Sequence, residues 1–248
     1  MEASRRFISA LKQFRLSVNE ELRPTWANIT TITMISSHLK DQGITVDPDV
    51  MRHVFKKMRY IPVKNTAGGV FQWRMFNSDF YNQVTIGYTD SLSTKKVKIF
   101  PNGSLQVAGC ADLQDCKVFT KQLCLILKLV YHVDVPEDSF RTVMINSNFS
   151  LNYTIDLYRA VEVFQAAGTK VAFDPDRYSA VKIKYRPADK EITTSIFASG
   201  AAIITGANRV EDILATYKFV TEKCVQGGVY VEGNDQSEKF QRCLGYQV

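Results

Sequence analysis

The sequence lacks the patterns that mark export, membranes, metals and catalysis. No apolar run approaches the about 20 residues that cross a bilayer. The most apolar helical stretch, 123–131, is short and interrupted by Lys128. Residues 1–18 carry charges throughout, without the apolar segment of a secretion signal. The five cysteines, Cys110, Cys116, Cys124, Cys224 and Cys243, form no C-x-x-C pair. An odd count without that spacing argues against a disulfide framework and against a zinc site, and reduced thiols fit an intracellular protein. The three histidines, His38, His53 and His132, are scattered. No Gly-x-x-x-x-Gly-Lys-Ser/Thr loop, nucleophile–base–acid set or paired-carboxylate motif is present. The expectation is a protein that is not an enzyme and holds neither metal nor cofactor.

Acidic residues are the minority. Thirty-one Lys and Arg face 25 Asp and Glu, for a net charge of +6 and a pI near 9.0. A basic excess of this size suits a nucleic-acid partner. At 248 residues the chain can bury one large core or two small ones.

The chain repeats itself. Tyr81-Asn-Gln-Val-Thr-Ile-Gly-Tyr88 and Lys98-Ile-Phe-Pro-Asn-Gly-Ser-Leu-Gln-Val-Ala-Gly109 return as Tyr178-Ser-Ala-Val-Lys-Ile-Lys-Tyr185 and Ser195-Ile-Phe-Ala-Ser-Gly-Ala-Ala-Ile-Ile-Thr-Gly206. The offset is 97 at each landmark: 81 and 178, 100 and 197, 109 and 206. Upstream, Thr33-Met-Ile-Ser-Ser37 resembles Val143-Met-Ile-Asn-Ser147 at an offset of 110, so the first copy holds 13 extra residues before Tyr81. Asn65-Thr-Ala-Gly-Gly69 reads as the loop of that insertion.

Periodicity predicts one unit as β-α-β-β-β-α. In the second copy, strands are expected at 140–152, 178–185, 191–198 and 201–205, with helices at 156–167 and 208–224. In the first, strands are expected at 26–37, 81–89, 95–100 and 104–108, with helices at 49–58 and 112–132. Asp47 and Pro48 form a helix-start signal. The expected division is an N-terminal helical extension (1–25), a first repeat (26–133, insertion about 59–77), a second repeat (134–226) and a tail (227–248). Each unit would cover one sheet face with helices and leave the other open. Two units joined edge to edge would make one wide curved antiparallel sheet, a pseudo-symmetric α+β saddle with its helices on the convex face.

Residues 195–207 resemble the repeat signature of the TATA-box-binding protein family, aliphatic-Ile-Phe-x-Ser-Gly-Lys-x-x-x-Thr-Gly-Ala-Lys. The first copy, Ile99 to Gly109, is similar but weaker, and the resemblance covers about residues 26–224. The divergence, insertion and tail look like the TATA-binding-protein-like factors of large DNA viruses. The resemblance implies a transcription-initiation factor that binds the DNA minor groove through its concave sheet. Such a factor acts in the nucleus or a viral transcription compartment. The implied partners are double-stranded A·T-rich promoter DNA, a transcription-factor-IIB-like protein and the RNA polymerase machinery. A second class of function is a saddle-shaped interaction scaffold that has lost TATA binding.

The resemblance also implies site residues. The family inserts paired phenylalanines between base steps, because apolar wedges unstack and kink the duplex. Phe100 and Phe197 match one wedge of each pair, and Tyr81 and Tyr178 fall at the other. Strand alternation adds Thr193, Ser195, Ile203, Thr205, Ala180, Lys182, Lys184, Met144, Asn146 and Asn148 in the second copy. In the first it adds Lys96, Lys98, Gln106, Ala108, Gln83, Thr85, Asn28, Thr30 and Ile32. Asn28 matches a base-contacting asparagine. The family's lysines after Ser-Gly and Thr-Gly-Ala are replaced by Ala201, Ser104, Asn208 and Ala111. An arginine contacting phosphate is replaced by Lys184 and Gly87, and an aliphatic contact by Ser195 and Lys98. Asp174-Pro-Asp176-Arg177 retains the acid-Pro-acid turn that contacts factor IIB in the family.

Overall fold

The computed structural model describes residues 2–58, 63–64, 70–76, 82–89 and 93–231, with side chains at 5–54, 82–89 and 93–231. The chain forms two compact units: Ile29–Ile145, and Met1–Asn28 together with Asn146–Val248. A helix α1 (Glu2–Ser17) leads into β1 (Asn28–Ser36).

The first unit continues with a short helix α2 (His38–Asp41) and α3 (Pro48–Met58). The carboxylate of Asp47 accepts from the Asp49 N–H at 2.8 Å, the N-terminal cap that the sequence signalled. Then come β2 (Val63–Lys64), β3 (Val70–Phe76), β4 (Val84–Thr89), β5 (Thr94–Ile99) and β6 (Leu105–Cys110). The long helix α4 (Leu113–Tyr131) starts on the Asp112 cap and ends at His132, in the left-handed region at φ 56°. Its Phe119, Leu123 and Leu127 are buried, as are Ile86, Val97, Ile99 and Val107 of the strands, and Phe119 meets Tyr88 of β4 at 5.0 Å between ring centroids.

The second unit runs β7 (Arg141–Ser150), α5 (Leu157–Ala166), β8 (Lys170–Asp174), β9 (Tyr178–Tyr185), β10 (Ile192–Phe197), β11 (Ala201–Ala207) and α6 (Val210–Gln226). Asp156 caps α5 by accepting from the Tyr158 and Arg159 N–H groups, both at 3.0 Å. Phe164 of α5 and Ile213, Tyr217 and Val220 of α6 are buried, as are Val181, Ile183, Ile196 and Ile204 of the strands. The N-terminal segment belongs to this unit. Phe14 meets Tyr217 edge-on at 5.8 Å, and the Tyr217 hydroxyl donates to the Thr25 carbonyl at 2.7 Å.

The sheet pairing reproduces the repeat. Opposite Lys98 stand Thr85 and Gln106; opposite Ser195, 97 residues on, stand Lys182 and Ile203. Gly103 and Gly200, also 97 apart, carry the hairpin turns at φ 80° and 82°. A Cβ there would meet the carbonyl of Ile44 or of Tyr153, so glycine is required for space as well as for conformation.

The α+β class of the doubled unit stands, with one strand more in the second unit than the periodicity predicted, β8, and two more in the first, β2 and β3. β8 lies antiparallel on β9, and β3 lies on β4 in the same way: Lys170 faces Lys184, and Arg74 faces Gly87. Residues from Val70 onward within the expected insertion are therefore repeat structure. β8 escaped because a single Val171–Phe173 alternation, bounded by Gly168 and Pro175, is too short for a period to register.

Candidate nucleic-acid interface

In the second unit the strands alternate as a half-covered sheet must. Val181, Ile183, Ile192, Thr194, Ile196, Ala202 and Ile204 are buried on the helix side. The alternate residues form an open face. One row across the strands is Ile203, Ser195, Lys182 and Ala172; the next is Thr205, Thr193, Lys184 and Lys170. Phe197 stands opposite Ala180, which is buried beneath its neighbours.

Tyr178 and Phe197 come together on this face, ring centroids 5.8 Å apart and planes at 65°. Tyr178 is 38% exposed, and the Lys182 ammonium sits 4.2 Å from its ring centroid. Phe197 is half-buried and Ile203 is 37% exposed. A large apolar surface and a cation thus share one accessible patch. Lys184 is engaged: its ammonium pairs with Glu191 at 3.0 Å, and Lys170 approaches the same carboxylate at 3.5 Å. The hydrogen bond from Lys184, then the two positive charges, hold the Glu191 carboxyl below its ordinary range. Sequence reasoning missed both Glu191 and Lys170. The thirteen-residue span from 178 to 191 closes in space through the β9–β10 hairpin, and Lys170 waits on the unrecognised β8.

β7 alternates likewise, with Ile145, Ser147 and Phe149 buried, Met144 and Asn146 half-buried, and Asn148 exposed. Phe149 meets Tyr217 of α6 at 4.7 Å, which fixes the buried set as the helix side. The Asn146 Oδ1 is buried without a hydrogen-bond partner. Such an acceptor carries a desolvation cost until a donor reaches it. Asn28 and Thr30 are exposed.

The first unit presents a different face. Lys96 is exposed, and Lys98, Phe100, Gln106 and Ala108 are half-buried. Gln83 and Thr85 are buried at 8% and 7% exposure, with the Gln83 amide donating to the Thr85 hydroxyl at 3.4 Å. Tyr81 lies outside the described residues. Ile32 is a correction: it is fully buried. The pairing of β1 with β6 slips between Ile32 and Thr33, where Gly109 at φ 106° is the extra residue. It is Thr33 and Ile35 that stand opposite Ala108 and Gln106, because a bulge breaks the two-residue period.

Asp174, Asp176 and Arg177 are exposed on the hairpin between β8 and β9. The Arg177 N–H donates to the Asp174 carbonyl at 3.1 Å, and Asp174 pairs with Tyr178, so the acidic turn directly precedes the aromatic pair.

Comparison with known proteins agrees with this geometry. The family model described as "Transcription factor TFIID (or TATA-binding protein, TBP)" matches residues 139–224. A TATA-box-binding protein-like protein of Acanthamoeba polyphaga mimivirus is 30% identical over 172 residues, 57% of this chain and 47% of that one. The chain thus spans about half the length of that relative. The TATA-box-binding protein-like 1 of Entamoeba histolytica is 24% identical over 217 residues, covering 87% of this chain and 86% of its own. The structure of Methanococcus jannaschii TBP superposes with a TM-score of 0.53 at 14% identity, covering 82% of this chain and 99% of that one, a likeness of fold. The repeated register, the aromatic pair beside the Ser-Gly turn and these relatives converge on one likeness: the chain is similar to TATA-box-binding proteins, and its residues 139–224 match that family's model.

Proposed function

We propose that this chain is a transcription-initiation factor that binds duplex DNA in the minor groove through the open sheet faces, with A·T-rich promoter DNA as its target. The observation that carries the reading is the accessible Tyr178–Phe197 pair flanked by Lys182. Aromatic wedges unstack a base step, and an adjacent lysine offsets the phosphate charge that closes around it. The partnerless Asn146 Oδ1 is an acceptor that only a guanine amino group or ordered water can satisfy in the minor groove, so it bears on groove contact and not on the A·T preference. Asn28, Thr30, Tyr81, Gln83, Lys96, Lys98, Phe100, Gln106, Asn148, Lys184, Ser195, Ile203 and Thr205 complete the proposed contact set. The test is a gel shift on A·T-rich and G·C-rich duplexes across a salt series, with end-labelled DNA to report bending. A linear fall of log affinity with log salt together with bending supports the proposal; no bending at saturation refutes it.

The acidic hairpin fits a basic protein better than phosphate. A factor-IIB-like partner at Asp174, Asp176 and Arg177 is the proposed recruitment contact. A second reading, an interaction scaffold without DNA bending, is favoured by the burial of Gln83 and Thr85 and by the Lys184–Glu191 pair. The bending assay separates the two.

A further inference from the structure

The strand order ends at β8, whose outer edge carries no strand among the described residues. The first unit differs, because β2 pairs on the outer side of β3, Val63 opposite Phe71 and Lys64 opposite Val70. A free edge is a row of unpaired N–H and C=O groups that will template another strand. Charges along an edge normally discourage this, but they do so only when the incoming strand meets its own sign.

The order of side chains on β8 decides which strand fits. The strand reads Lys170-Val-Ala-Phe-Asp174, a cation at one end and an anion at the other. Turned antiparallel on a second copy of itself about Ala172, it sets Lys170 opposite Asp174, Val171 opposite Phe173, and Ala172 opposite Ala172. Every pair is complementary, as a two-fold interface demands. The open side of the strand holds Lys170, Ala172 and Asp174, which pair with Lys184, Lys182 and Tyr178 of β9. There the arriving Asp174 would meet Lys170 with Lys184 behind it. Glu191, 3.5 Å from Lys170, is the one carboxylate described beside it that competes for that lysine. On the helix side Phe173 already touches Tyr158 of α5, at 5.4 Å between centroids, and Tyr158 is 70% exposed. That leaves an aromatic shelf beside the edge for the arriving Val171 and Phe173.

We propose that β8 is a self-pairing edge through which two copies of this chain join antiparallel about Ala172, each Lys170 against the partner's Asp174. The interface is one short ladder with two aromatic shelves, so the association is a weak, reversible one of the small-interface class. It buries the hairpin that carries Asp174. A protein partner on that hairpin and a second copy on β8 therefore exclude one another, and self-association holds the recruitment surface out of use. The inference stands on the edge alone and needs no DNA binding.

The test is sedimentation velocity on the full chain without DNA or partner, over a dilution series reaching roughly millimolar protein. Lys170→Asp and Asp174→Lys each turn two attractive pairs into two repulsive ones, and each should weaken the dimer about tenfold or more. An equimolar mixture of the two single variants should associate again, because one strand is then acidic at both ends and the other basic. The double exchange should self-associate like the wild type. Circular dichroism of each variant checks the fold. Ala172→Arg supplies an independent disruption, since it places like charges against each other at the two-fold axis. A wild type that stays monomeric throughout overturns the proposal. So do folded single variants that associate as the wild type does, a mixture that fails to associate, or an Ala172→Arg chain that still dimerises.

Discussion

Replacing Lys95 by isoleucine should cost the first unit more stability than removing any other lysine or arginine among its described residues. Lys95 and Asp115 form an ion pair at 2.7 Å with side chains 0% and 1% exposed. Asp115 is also held by the Ala111 N–H at 2.8 Å and the Ser93 hydroxyl at 3.2 Å, at the first turn of α4. Removing one partner of a buried pair leaves the other charge in a medium that cannot solvate it, at about 3–5 kcal/mol. The two remaining donors bring the expectation to the lower end, about 3 kcal/mol.

The second unit shows how the same position is managed without the lysine. Ninety-seven residues on, isoleucine already occupies the site as Ile192, opposite Tyr185 as Lys95 is opposite Tyr88. Its α6 carboxylate, Asp212, is 4% exposed and takes a two-pronged pair from Arg209 at 2.9 and 3.2 Å. Arg209 falls at the position of Asp112. Hence Lys95→Ile combined with Asp112→Arg should recover roughly half of the loss, even though Asp112→Arg alone removes a helix cap at about 1 kcal/mol. Urea unfolding followed by far-ultraviolet circular dichroism measures all four proteins of the cycle. A loss below about 1 kcal/mol for Lys95→Ile, or strict additivity in the double variant, would refute the reasoning.

Phe197→Ala should weaken duplex binding by a few kcal/mol or less while lowering stability by under about 1 kcal/mol, against the ~3–5 kcal/mol typical of a core phenylalanine such as Phe164; parallel fluorescence anisotropy and urea titrations decide. Glu191→Gln frees Lys184 and Lys170, so DNA affinity should rise and the salt slope steepen by about one phosphate contact or more. The Glu191 carboxyl is held below its ordinary range, so its pairing is present above that range and fades as pH falls through the lowered value; the gain from Glu191→Gln should therefore shrink in acid. Asp174→Lys with Asp176→Lys should abolish a ternary complex with a factor-IIB-like protein while leaving binary DNA binding equal or slightly tighter, and a normal ternary gel shift would reduce the hairpin to turn chemistry.

The repeat made most of this fold legible. A constant offset of 97 is a statement about register, and the pairs Lys98–Gln106 and Ser195–Ile203 show the register conserved inside the molecule. The start of α3 was legible from its cap, Asp47, and the helix starts expected at 112 and 156 fall on residues that the structure shows to be caps, Asp112 and Asp156. What stayed hidden depends on contacts that no local window contains. Lys95 sits in Lys95-Lys96-Val97-Lys98, which reads as a solvated lysine run, yet its partner Asp115 is 20 residues away on a helix. Ile32 shares the parity of Thr30, but an extra residue on the neighbouring strand, Gly109, moved the pairing. Gln83 reads as a polar groove contact, and its burial depends on what lies over β4.

The two units have therefore diverged at their open faces and at their cores in different ways. In the second, no lysine is buried among the described residues, and the exposed row gathers Tyr178, Phe197, Lys182 and Ile203 into one patch. In the first, a buried ion pair ties β5 to α4, and Thr85 is withdrawn from solvent where its counterpart Lys182 is exposed over the Tyr178 ring, while Gln83 and its counterpart Ala180 are both buried. A face that must unstack a base step needs its apolar surface accessible before the ligand arrives, because burial already realised in the free protein adds nothing on binding. By that criterion the Phe197 side carries the greater share of any duplex deformation. Phe100, whose unit buries Thr85 where the second exposes Lys182, contributes less, and alanine at Phe100 should weaken binding less than alanine at Phe197.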